Sequence, residues 1–279
     1  MSLDEQVAPF LQGFASRNVL VNGFKTHWMV SEGSGPPLVL LHGDYGSWRH
    51  WVKNLQDLSS SYCVLVPDLP GYGDSDTPRK PFSEQEAARR MGEALMLLHE
   101  GPIRLVGFSL GGIIAGHLAD QKTSRVSYLV ICGSGGLGVP QLHPAPRLER
   151  LDLHASDQEI VATHRRNLQK LMINDSNKID ELCCRIHHFN IQQTRVKAAS
   201  VPRSDSLSRA LMGVTAKLGA IWGGQDQYCD EQGIRASEAR IRKHCHDLEF
   251  HIVPGAGHWV PYECPTEFNY LLRKLLLRR

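Results

Sequence analysis

The sequence predicts an α/β fold: a mostly parallel, eight-stranded sheet with helices on both faces and a helical cap inserted between two strands. Three observations lead there. Short apolar, β-rich runs alternate with helical stretches along the chain, the pattern of strands joined by crossover helices. At 279 residues the chain suits one large domain with an insertion and is short for two independent ones. Between the runs at 127–132 and 218–222 lies far more chain than a single crossover helix requires.

The strands follow in order. Residues 18–21 and 25–32 flank Asn22-Gly23, a hairpin signal that predicts an antiparallel opening. Residues 37–41 (PLVLL), 62–66 (YCVLV), 103–108 (IRLVGF), 127–132 (SYLVIC), 218–222 (LGAIW) and 248–253 (LEFHIV) are apolar on both strand faces, as buried parallel strands must be. Helical stretches sit between them at 48–58, 83–100, 110–121, 230–242 and 265–277. The last begins on a proline and gathers Arg273, Lys274, Arg278 and Arg279 toward its C-terminal end. The chain then divides into a core over 1–138 and 208–279 and a helical cap over 139–207, entered by the glycine-rich GSGGLGVP of 133–140.

Composition narrows the class. Lys and Arg total 31 against 29 for Asp and Glu, a formal charge of +2 that gives no field to attract nucleic acid or an anionic membrane. The first fourteen residues lack a basic segment followed by an apolar stretch, so no signal peptide is expected, and no run reads as a membrane span. Seven cysteines without framework spacing fit a reducing cytoplasm. The expected partner is a small-molecule substrate, and oligomeric state, monomer or homodimer, is not legible.

The chemistry concentrates in a few loops. Gly107-Phe108-Ser109-Leu110-Gly111 is a G-x-S-x-G placed between a predicted strand and a predicted helix, a context that forces the serine into a tight turn and aims the Leu110 amide at an oxyanion. A hydroxyl needs a base. His258, in the glycine-rich loop after the last strand, is placed to supply it; His251 lies within a strand and His42 before a glycine turn. The base needs an acid to orient it, and Asp226 follows the 218–222 strand, with Asp230 one helical turn on as the local alternative. The order Ser109, Asp226, His258 suits a nucleophile elbow. A second oxyanion donor should come from the loop after 37–41, which makes it the amide of Asp44. A carboxylate there repels a developing oxyanion unless it points away, is paired, or serves the substrate. The loop over 68–75 (DLPGYGDS) is read as turn chemistry.

Taken together, HGDYG, DLPGYGDS, GFSLGG, WGGQD and GAGHW, in this order, resemble the α/β-hydrolase superfamily over nearly the whole chain. The resemblance implies that fold and a hydrolytic activity without cofactor. Within the superfamily, ICGSGGLG and GHWVPYE look like the meta-cleavage product hydrolases, which cut C–C bonds in vinylogous diketones from aromatic-ring degradation. The chain departs from that pattern at Phe108, where those enzymes carry asparagine, and at HGDYGSW, where they carry HGxGPG. The same resemblance implies a cap arginine on the substrate carboxylate, with Arg185 and Arg195 as candidates. A serine at the elbow departs from the dehalogenases and epoxide hydrolases of the superfamily, which use aspartate there.

Ester hydrolysis is then the default chemistry, with Gly43, Phe108 and Trp259 as substrate contacts. C–C hydrolysis of a related dienoate is the alternative, and a ligand receptor that keeps the fold is the alternative of another class. Trp48, Leu171, Met172 and Phe189 are further candidates for an apolar pocket. Two clusters, Cys183-Cys184 with His187-His188 and His244-Cys245-His246, lack structural-zinc spacing and predict no metal.

Overall fold

A computed structural model describes residues 2–139, 147–152 and 154–277. Pro140, at the end of the glycine-rich stretch, part of the expected cap, and Arg278 and Arg279 lie outside the described residues. Eight strands form one sheet in the order β1-β2-β4-β3-β5-β6-β7-β8. These are β1 (Phe14–Val21), β2 (Phe24–Ser31), β3 (Pro37–Leu41), β4 (Cys63–Pro67), β5 (Ile103–Phe108), β6 (Val126–Cys132), β7 (Lys217–Gly223) and β8 (Glu249–Val253). The first two pair antiparallel, as do β2 and β4; every later pairing is parallel. Asn22 and Gly23 both take positive φ, 49° and 75°, the turn that a tight hairpin requires.

Strand alternation sorts the core into two layers. Leu38, Leu40, Val64, Val66, Val106 and Phe108 face one side, and Val39, Leu41, Leu65, Ile103 and Leu105 the other. The first layer packs against α2 (Leu55–Ser59) and the C-terminal α10 (Pro265–Leu276). The second packs against α3 (Glu84–Leu98), α4 (Leu110–Ala119) and α8 (Glu231–Arg242). Between β6 and β7 lie α5 (Asp157–Leu171), α6 (Glu181–Gln192) and α7 (Ser206–Ala210); α5 packs on α6, and α7 on α4.

Three elements differ from expectation for local reasons. The single helix expected over 48–58 is a 3₁₀ turn, Trp48–Trp51, followed by the short α2. Asn54 between them uses its side chain on the Pro261 carbonyl and on Asn269, and Trp48, Trp51 and Val52 are poor helix formers. The edge strand β1 begins at Phe14, earlier than expected, because exposed Ser16, Arg17 and Asn18 hide it from an apolar-run reading. A five-residue helix, α1 (Leu3–Val7), opens the chain on a capping box between Ser2 and Glu5. It is too short to show a period. A four-residue turn of helix, α9 (Val260–Glu263), precedes α10. Among the described residues no helix is long and apolar enough to cross a membrane.

Candidate active site

Ser109 stands at the junction of β5 and α4 with φ 53° and ψ −119°, a conformation that costs a non-glycine residue of order 1–3 kcal/mol. The flanking glycines permit it. A Cβ on Gly107 would lie 2.4 Å from the Gly111 carbonyl oxygen and from the Gly112 Cα, and one on Gly111 would lie 2.4 Å from the carbonyl oxygens of Leu41 and His42. The Ser109 amide donates to the Cys132 carbonyl at 2.8 Å, which pins the turn to the neighbouring strand. Leu110 is the first residue of α4, so its N–H has no acceptor within the helix and points with the positive end of the dipole.

His258 and Asp226 come together from two loops at the same sheet edge. The ring Nδ1 of His258 meets Asp226 Oδ2 at 2.8 Å, with both side chains almost fully buried. The other carboxylate oxygen, Oδ1, accepts from the Tyr228 amide at 2.9 Å, and Gln227 Oε1 accepts from the His258 amide at 3.0 Å. With Nδ1 engaged, Nε2 is the nitrogen left to take a proton. The Phe108 ring packs 5.0 Å from the His258 ring and the Tyr228 ring 4.6 Å from it, centroid to centroid. Among the described residues the site's hydrogen bonds include the His258–Asp226 pair and not one between Ser109 and His258; such bonds commonly tighten only around a bound substrate. Asp230 is instead the N-cap of α8, its side chain accepting from the Gly233 amide at 2.8 Å.

The loop after β3 runs beside the serine. A Cβ on Gly43 would sit 3.1 Å from Ser109 Cβ and from Phe108 Cε1, so Gly43 lets this loop approach the nucleophile. Asp44, next in the chain, is half-buried; its Oδ1 accepts from the Tyr72 hydroxyl at 2.7 Å and from the Tyr45 amide at 2.9 Å. Burial raises its pKa, against the pull of those two donors. His42 is fixed as turn structure: Nδ1 lies 2.7 Å from the Gly43 carbonyl oxygen, and Nε2 accepts from the Leu69 amide at 2.9 Å. Burial pushes its pKa down to about 4.

Phe108 and Trp259 are both buried. Trp259 donates from Nε1 to the His50 carbonyl at 2.9 Å, and its ring lies 4.8 Å from that of His50 at an interplanar angle of 54°. The two candidate arginines are engaged elsewhere. Arg185 pairs with Glu181 and Asp157, and Arg195 donates to Thr77 and to the carbonyls of Tyr72, Gly73 and Gln193. Two groups stand beside the site without a sequence signal. Glu263 accepts from the amides of Gly257, Asn174 and Asp175, at 2.7, 3.0 and 2.7 Å, tying the His258 loop to the segment after α5. Burial raises its pKa, and the three donors oppose that. His50, beside Phe108 and Trp259, is the other.

A family model described as "Alpha/beta hydrolase family" matches residues 38–269. The chain is 27% identical over 270 residues to 2-hydroxy-6-oxo-6-phenylhexa-2,4-dienoate hydrolase of Burkholderia cepacia, covering 90% of this chain and 91% of that one. It is 39% identical over 111 residues to pimeloyl-[acyl-carrier protein] methyl ester esterase of Vibrio parahaemolyticus, covering 39% of this chain and 40% of that one. Among solved structures, an esterase from Rhodococcus sp. superposes with TM-score 0.73 at 21% identity, covering 95% of this chain and 98% of the other. The enol-lactonase of Burkholderia xenovorans gives 0.71 at 17%, covering 94% and 100%. At these identities the two structures speak for the fold.

Proposed function

The chain belongs to the alpha/beta hydrolase family, and from that premise we propose that it hydrolyses small carboxylic esters through an acyl-enzyme on Ser109. The observation that carries this reading is the strained serine at φ 53°, held between glycines at the start of a helix. Ser109 Oγ attacks the acyl carbon while His258 Nε2 takes its proton, and Asp226 stabilises the imidazolium that results. The carbonyl oxygen, now anionic, sits between the amides of Asp44 and Leu110. His258 returns the proton to the departing alkoxide, leaving an ester on Ser109. Water then attacks that ester, giving its proton to His258, and the acid departs as Ser109 recovers the proton.

The helices between β6 and β7 serve in this reading as the cap over the site, with the core on either side of them in sequence. A soluble cytoplasmic enzyme acting on a small molecule, without nucleic acid or membrane as partner, fits the balanced charge.

Cleavage of a C–C bond in a dienoate is the second reading. Its support is the relative matched over nearly the full chain, whose name is a dienoate hydrolase. Against it stand Arg185 and Arg195, both bound to other groups and so not offered to a substrate carboxylate. A ligand receptor on the same fold is the reading of another class.

The test is hydrolysis of a short p-nitrophenyl ester series beside a dienoate ring-fission substrate, with wild type and Ser109→Ala. Ester turnover lost in the variant, with no dienoate cleavage, supports the esterase. Dienoate cleavage moves the assignment to the second reading, and the absence of any turnover favours the receptor. Activity that survives in Ser109→Ala removes the mechanism.

A further inference from the structure

Behind Phe108, where the 3₁₀ turn Trp48–Trp51 meets α6, the buried polar atoms without a hydrogen-bond partner include His50 Nδ1, His187 Nε2 and Asn190 Nδ2, beside Arg49 Nε and Nη1 and Trp51 Nε1. His187 and Asn190 are three residues apart on α6, one turn, and so share a helix face. Asn190 is anchored, because Ser47 Oγ donates to its Oδ1 at 2.7 Å and leaves the amide Nδ2 to donate elsewhere. His50 packs 5.7 Å from the Phe108 ring and 4.8 Å from that of Trp259, centroid to centroid; these two residues adjoin Ser109 and His258 in sequence. Its electrostatic neighbours include both His258 and His187, so it stands between the catalytic loop and α6.

A buried polar atom without a partner costs about 1–3 kcal/mol, so three together cost roughly 3–9 kcal/mol. That is a large part of the net stability of an ordinary domain, about 5–15 kcal/mol. Groups left so in a folded protein call for an explanation, and a ligand that completes their hydrogen bonds is one.

We propose that His50, His187 and Asn190 form a polar subsite between the sheet and α6 that binds an uncharged oxygen of the substrate: a ketone, ether or amide oxygen on the arm beneath that helix. This rests on the ester-hydrolase reading and names the substrate class of the same site. Asn190 Nδ2 donates to that oxygen, and each imidazole donates or accepts according to its tautomer.

Charge argues for an uncharged group over a carboxylate. Burial holds both imidazoles neutral, pulling His50 well below the ordinary histidine value and His187 down to about 3. The Arg49 guanidinium lies between the Trp48 and Phe189 rings, 4.5 and 4.2 Å from their centroids, gives Nη2 to the exposed Asp4 and keeps Nε and Nη1 buried without an acceptor. Asp44, on the loop against Ser109, adds negative charge to the site. A carboxylate here would face two neutral imidazoles, with the Arg49 charge already shared between Asp4 and the two rings that sandwich it.

The experiment compares kcat/KM for matched esters: p-nitrophenyl hexanoate with its 4-oxo and 5-oxo analogues and with the adipate monoester, and, for the alcohol arm, hexyl acetate with 5-oxohexyl acetate. An oxo ester on one arm should exceed its alkyl parent by about 10- to 100-fold. That ratio should fall to about one in His187→Leu and Asn190→Leu, and His187→Gln, which keeps a hydrogen-bonding side chain in place of the imidazole, should restore part of it. A ratio near one on both arms of the wild type, a ratio that the leucine variants leave intact, or preference for the adipate ester would overturn the subsite. The same pairs are titrated calorimetrically onto Ser109→Ala, a readout free of turnover. Failure to hydrolyse even the alkyl esters overturns the esterase reading, whereas equal affinity for oxo and alkyl members overturns the subsite.

Discussion

Among the described residues two buried histidine–aspartate pairs close at the same distance. His258 meets Asp226, and His27 meets Asp68, each through Nδ1 and Oδ2 at 2.8 Å. The second pair even has a serine on its far side, Ser16 Oγ lying 3.0 Å from His27 Nε2. Among the described residues this row has both hydrogen bonds in place, whereas Ser109 makes none to His258. What also differs is the backbone beneath the serine. Ser16 lies exposed on the flat edge strand β1, opposite Met29, while Asp68 spends its oxygens on the amides of Trp48 and Asp74 as well as on His27, holding the 68–75 loop in place. Ser109 sits at positive φ at the start of α4, with the backbone of Gly43 packed against it. Hydrogen bonds among three side chains make a row; a strained serine at a helix start beside a second loop is what sets the Ser109 site apart.

Serine substitution tests that distinction most severely. Ser109→Ala should lower ester kcat/KM by about 10⁴-fold or more, while Ser16→Ala leaves it within about twofold; equal losses would abolish the difference between the two rows. Next come the acids. Asp226→Asn should cost about 10⁴ in kcat with a modest change in melting temperature. Asp68→Asn should leave turnover of the folded protein nearly intact and lower stability by about 3–5 kcal/mol, read from urea denaturation. A large kcat defect in Asp68→Asn would move that pair into the mechanism.

Acid sharpens the comparison by acting on the buried imidazoles around both rows. His42 and His187 hold folded pKa values of about 4 and 3, below the ordinary value near 6.5. The unfolded chain therefore takes up protons first as pH falls, so the stability these groups contribute is complete above about pH 6.5 and is lost toward pH 4. The loss is about 2 kcal/mol for each imidazole between pH 7 and 5, seen as a falling melting temperature; a flat profile over that range would show that these rings are not buried neutral. The smallest effect is Gly43→Ala, whose methyl would press on Ser109 Cβ and Phe108 at 3.1 Å. About a tenfold loss of kcat is expected from the displaced nucleophile, and unchanged kinetics would mean that the loop gives way freely.

The sequence made the sheet legible because parallel strands must be apolar on both faces, and β3 and β5 begin and end at the expected residues. Ser109, His258 and Asp226 were legible because each follows a strand at the same sheet edge, and the structure brings His258 and Asp226 into contact. What stayed hidden depends on neighbours distant in sequence. Tyr72 takes up the Asp44 carboxylate from a different loop. His50 and His187 influence each other only when the 3₁₀ turn and α6 are packed together, and the Cys183-to-His188 cluster, legible as a sequence pattern, does not point to that neighbour. Glu263 looks like an ordinary helix-start acid until three amides from two segments converge on it.

That last contact has a mechanical consequence. Glu263 joins Gly257 to Asn174 and Asp175, and the Trp259 amide donates to the Met172 carbonyl at 2.7 Å, so residues on both sides of His258 are bolted to the segment after α5. This end of the helical insertion is a hinge plate and not a free edge. A swing that opened here would carry the histidine away from its aspartate.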